Sequence, residues 1–292
     1  MLPGRLGLET ARIPQADRHG LLWLSRGKLY VEDGSVRFTA AKGSELPSGD
    51  YGIPFQTVSL FLLGPGTSVS HDVLRLCARH HTGLLAVGTD GVRCYSAPPL
   101  APDQSVCARE QVKLWSDLNG GRLLVARRLY ALRLGELLPH EDITVLRGIE
   151  GARMKESYLQ IARQFGINWQ GRRYDRQNPD RDDAPNQAIN HAATAVEGAA
   201  MIAVAATGTI PALGFIHEDS GIAWNLDVAD LFRTSLTVPV AFAAVRAHEK
   251  DPQLGLERQV RRLAAKAFRD QDLIATMIDR IKEVFGVARN LA

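Results

Sequence analysis

A chain of 292 residues, 45% hydrophobic and 23% charged, can bury a substantial core, which excludes a disordered protein and leaves room for one large or two medium domains. The formal charge of +3, from 35 Lys and Arg against 32 Asp and Glu, is too mild to announce a nucleic-acid partner, although a local basic patch remains open. Cys77, Cys94 and Cys107 form no even framework and no CxxC pair, so a disulfide scaffold is excluded and a reducing cytoplasm is the natural setting.

Residues 20–95 read mainly as strands. LLWLSRGKLYVEDGSVRFTA alternates on both sides of Asp33-Gly34, a strong hairpin signal, and Asp90-Gly91 marks a second turn between LLAVGT and VRCYS. One short helix is predicted from Ser70 to His80, with Ser70 as N-cap and Val73, Leu74 and Cys77 on one face. Cys77 beside His80 and His81 lacks a second ligand pair at finger spacing, so it reads as a packed cysteine rather than a zinc site. SAPPLAPDQ, residues 96–104, is a proline-bearing linker.

Beyond the linker the pattern is helical almost to the end. VKLWSDL and LLVARRLYALRLGELL carry apolar residues at three-to-four spacing, and Gly120-Gly121 marks a kink or turn between them. YDRQNPDRDDAP, residues 174–185, reads as a loop. The Ala-rich run 188–208 is interrupted by Asn190, His191 and Glu197, so it is a core helix rather than a membrane span. The last helices are predicted at about 256–268 and 272–284. The fold class is α+β: a small N-terminal β-sheet domain (1–95), the linker (96–104) and a larger all-α domain (105–292). No signal peptide is expected.

Two segments carry chemistry. GFIHEDSGIAWNLDVADLF, residues 214–232, sets His217, Asp227 and Asp230 among apolar residues. Buried unpaired carboxylates cost on the order of several kcal/mol, and a divalent cation compensates two at once. Asp227 and Asp230 are three apart and share a face if helical. The alternative is a helix N-terminus with acidic residues in its first turn. In LRGIEGARMKESY, residues 146–158, Gly148 and Gly151 frame Glu150 just ahead of a helical pattern, where it can approach a ligand without crowding. Glu150, His217 and Asp230 form a mixed oxygen and nitrogen set suited to Mg²⁺ or Mn²⁺. LERQVRRL places Arg258 and Arg261 one helical turn apart, with Arg262 adjacent: a phosphate-backbone contact, or a solvated face paired with Glu257 and Asp270.

RGIEGARMKESY, NWQGRRYD, NQAINHAAT, PALGFIHEDSGIAWNLDVADLF and TVPVAF together resemble the CRISPR-associated spacer integrase and endonuclease of the adaptation module, most closely its type I-E branch. GPGTSVSHDVLRL and GVRCY match the N-terminal blocks of that branch, so the likeness covers nearly the whole chain. The resemblance implies a two-domain fold, a metal held by Glu150, His217 and Asp230, and a supporting catalytic role for Asp227. It implies DNA contacts at Arg75, Arg93, Tyr174, Arg258 and Arg261, with the Tyr174 ring able to stack on a frayed base. The activity implied is joining of protospacer 3′-hydroxyl ends to the CRISPR repeat by transesterification. The assembly implied is a homodimer, two of which flank a dimer of a small ferredoxin-like adaptation protein. The chain departs from the pattern at Ser68, where relatives can carry a basic residue. A structure-selective repair nuclease and a non-catalytic DNA-binding scaffold are the alternatives.

Overall fold

The computed structural model describes residues 20–80, 82–96, 106–173 and 183–287. Its strands form two four-stranded sheets. β1 (Gly20–Leu24), β5 (Val58–Leu63), β7 (Gly83–Val87) and β8 (Cys94–Ser96) form one, in that order; β4 (Gly49–Ile53), β3 (Ser35–Ala40), β2 (Gly27–Glu32) and β6 (Thr67–Val69) form the other. The Asp33-Gly34 hairpin is present: β2 and β3 pair antiparallel, with both turn residues at positive φ. The Asp90-Gly91 turn likewise joins β7 to β8. LLWL, however, is not part of the hairpin sheet; it is β1, lying parallel to β5 in the other sheet.

The reason is visible in β5, VSLFLL, which is apolar on both faces. Leu60 and Leu62 point into the core shared with the helices, while Val58 and Phe61 point into a second core against β2, β3 and α1 (His71–His80). A strand covered on both sides sits in the middle of a three-layer stack, and parallel pairing with β1 and β7 follows. α1 buries Val73 and Cys77. Leu74 does not join them and is exposed, because the buried stripe is narrower than the sequence pattern. Ser70 precedes the helix, but its hydroxyl is buried without a hydrogen-bond partner, so it is not the side-chain cap that was expected. Cys77 is a packed thiol, pushed up to about 12 by burial.

Nine helices are described. α2 (Val106–Ser116) and α3 (Gly121–Leu134) meet at Gly120, which takes a φ of 110°. α4 spans Ile143–Phe165 with Asp142 as N-cap; α5 spans Ala184–Thr207 with Asp183 as N-cap and Pro185 in its first turn. The predicted loop through 185 therefore gives way to helix at Ala184. α6 (Ala223–Asp230) leads through a π-helical turn, Arg233–Thr237, into α7 (Val238–Lys250). α8 (Leu256–Asp270) and α9 (Leu273–Val284) end the described chain. The linker, apart from Ser96, lies outside the described residues.

α5 is long and apolar enough to cross a membrane, yet it is the spine of the helical region, packed against α6, α7, α8 and α9. Its small residues admit close neighbours; at Gly198 it passes against the backbone of Val92, Arg93 and Cys94. One core thus runs from β5 and β7 through α5 to α9. A satellite core of Tyr130, Leu138 and Leu146, with Ile149 and Ile216 packed on it, lies under the α3–α4 corner.

Because Leu62 and Leu85 are fully buried where sheet meets helices, Leu62→Ala should cost about 2–5 kcal/mol. Urea unfolding followed by far-UV circular dichroism and tryptophan fluorescence should show both signals shifting together. A shift confined to one signal would mean that sheet and helices do not share a cooperative core.

Candidate active site

Four elements converge over the satellite core. α3 brings Arg133, α4 brings Glu150, the segment after Leu213 brings His217, and α6 brings Asp227 and Asp230. Glu150 does not precede its helix, as its sequence suggested. It lies in the second turn of α4, and Gly148 and Gly151 flank it as helical residues facing open space. The N-terminal reading of the aspartates also fails, since Asp230 closes α6 and Asp227 lies in its interior.

Asp227 is the organiser. Its buried carboxylate accepts hydrogen bonds from the backbone N–H groups of Phe215 (2.6 Å), Ile216 (3.1 Å) and His217 (2.9 Å), and lies 2.7 Å from His217 Nδ1. These contacts fold the 214–217 segment back onto α6. The fold-back is tight: a Cβ at Gly214 would stand 2.3 Å from the His217 carbonyl oxygen and 2.7 Å from Ala223 Cβ, so only glycine fits. With Nδ1–H donating to Asp227, the neutral imidazole leaves Nε2 as an acceptor, 4.0 Å from Asp230 Oδ2. The Asp227 hydrogen bond raises the His217 pKa above its ordinary value, against the opposing effect of burial.

Asp230 has cations on both oxygens. Arg233 donates to Oδ1 from Nε at 3.0 Å and also from Nη2, while Arg133 Nη1 stands 3.4 Å from Oδ2. Burial works against its ionisation, but Arg233 and Arg133 outweigh burial and hold its pKa below the ordinary range. Arg133 Nη2 lies 2.7 Å from Glu150 Oε1, so one guanidinium bridges two of the three expected ligands. Burial raises the pKa of Glu150, and that of Glu197, which reaches the cluster from α5 and feels the charges of Arg233, Asp230 and His217. Among the described residues no three His, Cys, Asp or Glu side chains are gathered closely enough to coordinate one ion as they stand.

The charges nonetheless fit a divalent cation. Glu150, Glu197, Asp227 and Asp230 are four carboxyl groups; Arg133 and Arg233 are two cations. With all ionised and His217 neutral, the cluster carries a charge of about −2 by this count, and one Mg²⁺ or Mn²⁺ would neutralise it. Sequence reading missed Arg133, Arg233 and Glu197. Arg233 had a legible signal, three residues after Asp230; Glu197 stood out only as the single charge in an Ala-rich run; Arg133 gave none beyond a cation near the end of an apolar helix.

The expected DNA-contact residues fall into three places. Arg75 is exposed on α1 and pairs with Asp72 at 3.0 Å. Arg93, from the β7–β8 turn, and Arg261, on α8, both reach Glu257, at 2.5 and 3.9 Å, and Arg258 is exposed on the same helix. Glu257 thus does pair with this helix face, and it also draws the N-terminal sheet's arginine to it, whereas Asp270 acts on Arg269 instead. Tyr174 lies outside the described residues; just before it, Arg172 and Arg173 are anchored on the buried Asn186. Ser68 pairs in register with Lys28, so a cation stands beside the position where the resembled branch can carry one. Closer to His217, Arg122 and Arg147 reach Glu218 at 2.7 and 3.7 Å.

The family model for the CRISPR associated protein Cas1 matches residues 124–261. The CRISPR-associated endonuclease Cas1 of Escherichia coli is 34% identical over 277 residues, covering 94% of this chain and 87% of the relative; that of Geobacter sulfurreducens is 35% identical with the same coverage. Among solved structures, a TtCas1–DNA complex superposes with a TM-score of 0.80 at 29% identity, covering 93% of this chain and 97% of the other. A casposase bound to integration product shares the fold, with a TM-score of 0.62 at 11% identity.

Asp227→Asn retains the size but not the full charge that receives three buried N–H groups. It should lose about 3 kcal/mol of stability, measured by urea unfolding, while Asp219→Asn in the exposed turn nearby leaves the midpoint unchanged. Equal stability of the two variants would remove Asp227 from its organising role.

Proposed function

The chain belongs to the CRISPR-associated Cas1 family, and we propose that it is a metal-dependent DNA integrase and endonuclease of CRISPR adaptation. Its substrates are double-stranded protospacer DNA and the CRISPR repeat. The observation that carries this reading is the cluster around His217: Glu150, Asp230 and the imidazole, joined by Glu197 and Asp227, a set whose four carboxylates exceed the two guanidiniums by the charge of one divalent ion. Glu150, His217 and Asp230 would hold Mg²⁺ or Mn²⁺. When bound, the ion acts as a Lewis acid on the scissile phosphate and steadies the leaving oxygen.

The protein's own residues do the rest. Asp227 fixes the His217 tautomer and ring so that Nε2 faces the carboxylates. Arg233 fixes the Asp230 carboxylate by a two-point contact. Of the described residues near this cluster, the Tyr130 hydroxyl is buried, its pKa pushed up to about 12, which makes it a poor covalent nucleophile. On this reading the attacking group comes from outside the chain, a 3′-hydroxyl of the incoming DNA for strand joining or water for cleavage. Arg75, Arg93, Arg258, Arg261 and Tyr174 would hold DNA. The working assembly is a homodimer, two copies of which flank a dimer of a small ferredoxin-like partner, in the cytoplasm. The DNA-bound structure of a relative and the endonuclease names of the curated relatives support this reading.

The decisive experiment varies the attacking group. Protein and partner are incubated with Mg²⁺ or Mn²⁺, a supercoiled repeat plasmid and protospacer duplex ending in either a 3′-hydroxyl or a 3′-dideoxy sugar. Joined product should form only with the hydroxyl, because the nucleophile is that oxygen held in line with the phosphate. Nicked plasmid with both substrates and joined product with neither would favour a repair nuclease.

Binding of DNA should depend on α8 separately. The Arg258→Ala/Arg261→Ala variant should bind all sequences more weakly and flatten the log–log salt slope by roughly 2, about one per lost phosphate contact. An unchanged slope would make this helix a solvated face.

A further inference from the structure

We propose that Arg133 is the resident counter-ion of this site: in the metal-free protein it stands in the cation's place between Glu150 and Asp230, and a divalent ion enters only by displacing it. The inference rests on the metal-dependent reading above and adds a positioning residue to it.

Three observations lead there. The Arg133 side chain is only 8% exposed, yet its guanidinium spends its two terminal nitrogens on the two carboxylates, at 2.7 and 3.4 Å. Its Nε is buried without a partner, so the guanidinium is held by the charges it faces rather than by a full set of hydrogen bonds. Arg233 already holds Asp230 Oδ1, which leaves Oδ2 as the oxygen that faces His217 Nε2 at 4.0 Å, and that is the oxygen Arg133 touches.

Displacement follows from chemistry. An arginine does not deprotonate in a protein, so it cannot yield its place by losing charge. A divalent ion needs ligand oxygens at about 2.0–2.6 Å, and a guanidinium lying between those oxygens both blocks that approach and repels the ion. The longer contact, to Asp230 Oδ2, is the weaker one and the natural first to open. The arrangement keeps the carboxylates aligned when no metal is bound, at the cost of weaker metal binding. Arg133 sits two residues before Gly135, which closes α3 at a φ of 76°, so the side chain lies at a helix end.

The test uses the full chain and reads metal binding and stability rather than strand transfer. Mn²⁺ titrations by calorimetry, and thermal unfolding in chelator and at saturating Mn²⁺, are run on wild type, Arg133→Lys and Arg133→Met. Arg133→Met should unfold at lower temperature in chelator, bind Mn²⁺ about tenfold more tightly, and lose its stability gap at saturation. Arg133→Lys keeps the charge but not the two-pronged bridge, and should bind about threefold more tightly. If Arg133→Met does not fold, the shift in Arg133→Lys decides. Variants that bind Mn²⁺ as wild type does, or more weakly, overturn the counter-ion role and leave the metal reading intact. Failure of all three proteins to bind Mn²⁺ overturns the metal reading, and the inference with it.

Discussion

A single buried carboxylate holds the candidate site together. Asp227 is sealed from solvent and would be a heavy liability alone. It is made tolerable by three consecutive N–H groups from residues 215–217 and by the His217 ring. The same four contacts bend a loop sharply enough that residue 214 must be glycine. Loop geometry, imidazole orientation and the placement of Asp230 one turn along α6 are consequences of satisfying that charge. The aromatic cluster of Phe215, Trp224 and Phe285 locks the arrangement from below, so the segment that carries His217 is anchored at both its polar and its apolar side.

Around this anchor the charges are set against one another instead of being solvated. Burial alone would push every carboxyl toward its neutral form, and for Glu150 and Glu197 it does. Asp230 escapes because two guanidiniums face it. Burial thus pulls Glu150 and Glu197 one way while the guanidiniums pull Asp230 the other.

Much of the fold was legible because its signals are local. Asp33-Gly34 and Asp90-Gly91 need positive φ, and Gly120 separates α2 from α3 wherever the chain goes afterwards. β1 was misplaced because alternation cannot tell which sheet a strand joins; that choice was made by β5, whose two apolar faces require partners on both sides. Leu74 was misjudged for a related reason, since periodicity marks a face but not its width. In the site, His217, Asp227 and Asp230 were legible as polar residues in an apolar stretch. Arg133 was not, because an arginine near a helix C-terminus is ordinary, and only the packing of α3 against α4 turns it toward Glu150. Glu150 was singled out for an inexact reason: its glycine neighbours lie within the helix, not ahead of it.

The proposed DNA-holding arginines and the cluster around His217 are related through α5. That helix carries Glu197 toward the cluster, touches the β7–β8 turn at Gly198 one residue later, and packs along α8, which bears Arg258 and Arg261. Arg93 from the turn and Arg261 from α8 meet at Glu257, so the two basic elements are joined by an ion pair as well as by their common backing. Ion pairs this exposed contribute little to stability. Their value is in placement, because Glu257 holds two guanidiniums near each other that would otherwise repel. Phosphate is a stronger competitor for such a fork than a single exposed carboxylate, so DNA arriving here would exchange Glu257 for its own oxygens without disturbing the helices beneath. The proposed binding surface and the cluster around His217 are thus backed by the same helix, joined through packed side chains rather than through a loop.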